Sequence, residues 1–110
     1  MDISRHGEKI HLTFEDNERD TISHLATSAQ PIVETRCSAE DKQIIASQGQ
    51  EAREAGDLHI SLAHYEQLRR IARVALTTPH QPTRELLAQP KHEAALGAIR
   101  HLYASPSELL

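Results

Sequence analysis

Eight histidines are spread along 110 residues: His6, His11, His24, His59, His64, His80, His92 and His101. Imidazole is both a common metal ligand and a common general base. Helical metal sites usually carry two ligands three or four residues apart, as in H-E-x-x-H. No pair of histidines here has that spacing; His59 and His64 are five apart, and His92 and His101 nine. The best remaining pair is His11 and His59, each on the polar side of an alternating stretch. If those stretches are paired strands, both rings share one outward face. The expectation is nevertheless of solvated surface histidines, with no metal and no other cofactor. A small enzyme using His59, His64 and an acid is a secondary alternative.

Other catalytic patterns are missing. Cys37 is the single cysteine, so it forms no intrachain disulfide. It has no matched histidine or positive surroundings in the sequence and reads as a small packing residue. A reducing, cytoplasmic setting is expected from that cysteine usage. Glu15, Asp16, Glu18 and Asp20 sit where a helix begins and complement its dipole, so they are expected to face solvent. There is no G-x-S-x-G elbow and no phosphate-binding or dinucleotide glycine motif. No catalytic residue is assigned.

Charge is unevenly placed. Residues 1–57 hold twelve acids against six bases, and residues 58–110 hold six bases against four acids. The two parts can attract each other within or between chains. Arg69, Arg70 and Arg73, joined by Arg84, are the densest basic group. They are candidate docking residues for an acidic protein partner, including the acidic part of another copy. The overall net charge of −4 opposes general nucleic-acid binding. Ser105-Pro106-Ser107-Glu108 is a helix-start pattern with only Leu109 and Leu110 after it. Residues 105–110 are therefore a possible short tail, and Leu109 and Leu110 either pack as one turn or engage another chain.

These residues need elements to hold them. Ile10, Leu12 and Phe14 alternate with polar residues, as do Leu58, Ile60 and Leu62. A period of two predicts strands over about 8–14 and 57–62. Set in phase, the two stretches match as Ile10/Leu58, His11/His59, Leu12/Ile60, Thr13/Ser61 and Phe14/Leu62, and each leads into a helix. A strand–helix unit used twice is one reading, chance alternation the other. Helices are expected from about 16 to Pro31, which should close the first, and from 39 to 55, begun by Ser38 and ended by Gly56. The 39–55 helix has few apolar residues and contains Gly49, so it should be largely exposed. Residues 32–37 read as a connector or an extended piece. A strong helical stripe covers 64–76, a short helix capped by Thr83 follows, and a last one opens at Pro90.

The fold class is α+β and mainly helical, with two short paired strands and three to five helices in a single domain over 1–110. Its core is thin: Phe14, Tyr65 and Tyr103 are the only aromatic residues. No apolar run approaches the roughly 18 residues of a membrane span, and no secretory signal is expected at the start.

Residues 8–29, a strand then a helix, resemble the opening of ribbon–helix–helix DNA-binding proteins. The resemblance implies strand pairing between two chains and outward Lys9, His11 and Thr13 entering the major groove. The chain departs from that family in the roughly nine residues expected before the next helix, and in the acids around the strand. The leading expectation is a non-catalytic interaction or regulatory protein that binds a protein partner and self-associates. A DNA-binding regulator is the first alternative.

Overall fold

The computed structural model describes residues 1–110. Three strands form one antiparallel sheet: β1 (Asp2–His6), β2 (Lys9–Thr13) and β3 (Asp57–Ser61), in that order. Five helices follow the chain as α1 (Asp16–Arg36), α2 (Ala39–Ala55), α3 (Leu62–Thr77), α4 (Gln81–Leu87) and α5 (Glu93–Ala104). Short 3-10 turns cover Pro90–His92 and Ser107–Leu109. The architecture is thus α+β and mainly helical, as expected, with one more strand than the sequence indicates. No helix is long and apolar enough to cross a membrane.

The two alternating stretches pair side by side. β2 and β3 run antiparallel, with Ile10 opposite Ile60, His11 opposite His59 and Leu12 opposite Leu58. One face of the pair is buried by Ile10, Leu12, Leu58 and Ile60, which pack on Tyr65 and Leu68 of α3. The other face carries Lys9, His11, Thr13, Asp57, His59 and Ser61 and is not covered by helices. A second apolar cluster joins Ala29 and Val33 of α1, Ile45 of α2 and Ile71 of α3.

β1 lacks the alternation of its neighbours. Only Ile3 is apolar, and Arg5 stands opposite buried Ile10. The Arg5 guanidinium turns away, donating to the carbonyls of Gly7 (2.9 Å) and Ser107 (3.1 Å). A charged residue at an inward register position is a common device on a sheet edge, where it discourages further strand pairing.

Pro31 does not close α1; the helix runs on to Arg36. A proline inside a helix costs roughly 3 kcal/mol. Ile32 and Val33 are buried just beyond it, and each such burial contributes roughly 1.5–3 kcal/mol, enough to offset the loss. Residues 32–36 are therefore helical, and only Cys37 and Ser38 separate α1 from α2.

α2 begins as expected. Ser38 accepts from the Asp41 amide at 3.0 Å, and Gly56 ends the helix at φ 77°. It is less exposed than its composition suggests, since Ile45, Gly49 and Ala52 are buried. A Cβ on Gly49 would lie 2.7 Å from the Ala26 Cβ, so this glycine lets α1 and α2 approach. Thr83 does not cap α4. His80 holds that position, and buried Thr83 bonds Ser28 (3.0 Å) and His80 Nδ1 (2.9 Å).

Candidate functional site

The uncovered sheet face gathers the chemistry. Period two puts Asp57 and His59 on the same side of β3, and the register places His11 directly across from His59. The two imidazoles stack with centroids 4.0 Å apart and planes 16° from parallel. Asp57 Oδ2 lies 3.2 Å from His11 Nε2 and 3.4 Å from His59 Nε2. One ligand atom from each of the three residues falls within 4.8 Å of the others. Thr13 Oγ1 stands 3.5 Å from His11 Nε2 at the edge of the group. His11 and Asp57 are partly covered, with side chains 31% and 39% exposed, while His59 is 68% exposed.

Two nitrogens and a carboxylate oxygen form a donor set for borderline divalent metals such as zinc. Donors about 2.0–2.1 Å from a tetrahedral zinc lie roughly 3.3–3.4 Å apart. The two nitrogen–oxygen distances already match that spacing. Strand pairing brings the donors together, and the two rings must turn out of their parallel stack for both Nε2 lone pairs to meet one ion. The same donor set serves non-haem iron enzymes, whose open positions need a substrate space beside the metal. Here the face is an open strand surface, and an apolar cavity lies across the sheet, against Leu12 and Leu58.

The pairing of His11 with His59 on one face was readable from alternation. Asp57 opens the strand, where alternation alone carries no ligand signal, although period two aligns it with His59. The other histidines do not join them. His92 is buried with Nδ1 2.6 Å from the Leu86 carbonyl, and His80 serves Thr83. His64 lies on α3 with its Nε2 buried and unpartnered. His6 lies on the same open face, where it bonds Ser4 Oγ at 3.1 Å.

The arginines are spread over separate tasks. Arg69 is largely buried and caps the end of α5, donating to the carbonyls of Leu102 (3.2 Å) and Tyr103 (2.7 Å) while pairing with Glu66. Arg70 pairs with buried Asp41 at 3.1 Å, tying α3 to the start of α2. Arg73 and Arg84 are exposed on α3 and α4. Leu109 is 77% exposed and Leu110 38%, so the final turn forms with Leu109 unpacked and Leu110 only partly covered.

One expectation about the acids changes. Glu18 is buried, because its carboxylate returns to the Glu15 amide at 2.8 Å and closes the start of α1. Glu15, Asp16 and Asp20 face solvent. The Cys37 thiol is pushed up from its ordinary pKa by burial first and by Asp41 second, against a downward pull from Arg70. That favours the unreactive thiol over the thiolate nucleophile.

The outward positions Lys9, His11 and Thr13 do share one face of β2. β2 is the central strand, however, and both its edges are occupied by β1 and β3. It has no free edge for the strand pairing between chains that a ribbon–helix–helix arrangement requires. Searches of protein-family models, curated proteins and solved structures each find no match to this chain.

Proposed function

We propose that this chain is a non-catalytic binding protein whose open sheet face takes a divalent transition metal of the zinc class through His11, His59 and Asp57. The observation that carries this reading is the convergence of three donors from two paired strands within 4.8 Å of one another, with the Asp57 oxygen 3.2 and 3.4 Å from the two imidazole nitrogens. Three protein donors leave one tetrahedral position free. That position faces solvent on a flat surface rather than a cleft, which favours a bridging or structural ion over a catalytic one. A donor from a second copy would complete the shell, making self-association depend on the metal.

Cobalt(II) titration followed by visible absorption, with native mass spectrometry in zinc, tests the reading. One metal per chain is expected, with His11→Gln, His59→Gln and Asp57→Asn each weakening binding by more than about tenfold. Light scattering should show a dimer in zinc and a smaller species after chelation. Absence of stoichiometric binding, or binding unchanged in the His11→Gln/His59→Gln double variant, overturns the metal site. A monomer with zinc bound overturns only the bridging role.

A further inference from the structure

On the inner side of the sheet the helices do not close completely. A cavity of about 120 Å³ lies between β2, β3, α1, α2, α3 and α5, and it is partly open to the surface. Of its 20 lining residues 17 are hydrophobic, among them Leu25, Ile45, Leu68, Ile71 and Leu102. The remaining three are Gly49, Thr83 and Gln48. The Thr83 hydroxyl is engaged by Ser28 and His80. Gln48 Oε1 is buried and has no hydrogen-bond partner.

We propose that this cavity binds a small apolar molecule carrying one hydroxyl donor, of the phenol class, with the hydroxyl donating to Gln48 Oε1. Three physical points lead there. Protein interiors rarely leave voids of this size; an enclosed apolar cavity of about 150 Å³ holds benzene, and this one, at about 120 Å³, is open on one side, so a single ring enters it without being fully enclosed. An ordered water needs about two to four polar partners, and the wall offers one free acceptor, so water is a poor occupant. A buried carbonyl without a donor is costly, and a single hydroxyl on an apolar body removes that cost. The occupant's ring replaces dispersion contacts the lining lacks when empty.

The test is NMR titration of the full chain with phenol and with benzene. Saturable shifts are expected at the methyls of Leu25, Ile45, Leu68 and Ile71. Phenol should bind at least as tightly as benzene, although it is the better hydrated of the two. Gln48→Met keeps the side chain's length and removes the acceptor. It should weaken phenol about tenfold or more while changing benzene less than about twofold. Ala72→Leu, which narrows the cavity from α3, should weaken both probes. Absence of saturable shifts with either probe overturns the proposal, as does an unchanged phenol-to-benzene ratio in Gln48→Met. If the same methyls shift with protein concentration alone, another copy fills the space and the small-molecule assignment falls.

Discussion

Replacing Gly49 with alanine separates a helix read from its sequence from the helix as packed. In an exposed helix interior the change gains about 0.8–1.0 kcal/mol, because glycine loses more backbone freedom on folding. Here the new methyl would sit 2.7 Å from the Ala26 Cβ and 3.6 Å from the Ser23 Cα. Carbon atoms pack best at about 3.5–4.0 Å, so the first contact is too close by roughly 1 Å. The obstructing atom is a Cβ fixed to the backbone of α1, with no rotamer to move, so the helices themselves must part. Overpacking of this kind costs typically 1–3 kcal/mol. After the propensity gain, a net loss of about 1 kcal/mol is expected. For a chain of this size that lowers Tm by on the order of 5 °C. Thermal and urea unfolding by circular dichroism read the change directly. Adding Ala26→Gly should relieve the overlap, giving a favourable coupling of about 1 kcal/mol in the double-mutant cycle. A Gly49→Ala variant more stable than the parent would refute the argued approach of α1 and α2.

Further outcomes follow from the side chains around the site and the C-terminal turn. Burial pushes the Glu66 carboxyl up as the largest single influence, but the Ser107 amide, the Ser107 hydroxyl and the Arg69 guanidinium together pull it down further, to a value below the ordinary one. Its stabilisation is therefore present above the unfolded pKa, about 4.3, and is lost as pH falls through the lower folded value. Tm measured from pH 6 to pH 2.5 should fall more steeply for the parent than for Glu66→Gln; parallel curves would contradict the assignment. Arg69→Ala removes the partner of two α5 carbonyls and should cost roughly 2 kcal/mol in urea unfolding, whereas exposed Arg73→Ala should stay within about 0.5 kcal/mol. Zinc at about 100 times its Kd should stabilise the parent by roughly 2.7 kcal/mol and leave His59→Gln nearly unmoved, by differential scanning fluorimetry.

What the sequence displayed was periodicity, and what it concealed was context. β2, β3 and α3 have clean patterns because one side of each meets the core. β1 has no such pattern: it forms against β2 at the sheet edge, and its Arg5 turns from the inner position to backbone carbonyls. Pro31 looks like a stop in the sequence because the burial of Ile32 and Val33, which holds the last turns of α1, is a tertiary effect. Gly49 looks like a weakness for the same reason, since the proximity of Ala26 belongs to another helix. The arginines looked like one basic surface from their numbers alone. Arg69 and Arg70 are instead turned onto α5 and α2 by partners 29 or more residues away in the chain. At the site, His11 and His59 were legible as a pair, and only the missing step from His59 to Asp57 on the same strand hid the third donor.

β3 is the element through which both proposed sites pass, and its pleat keeps them apart. Asp57 and His59 point to the open face; Leu58 and Ile60 point into the core, where Leu58 lines the cavity. A donor removed from the outer face deletes no atom of the cavity wall. Gln48 lies on α2, on the other side of the sheet, and contributes nothing to the cluster of His11, Asp57 and His59. His59→Gln should therefore leave phenol binding intact, and Gln48→Met should leave metal binding intact. Each proposal can fail without the other. A variant that abolishes both has damaged β3 or the helix packing beneath it, and says nothing about either ligand.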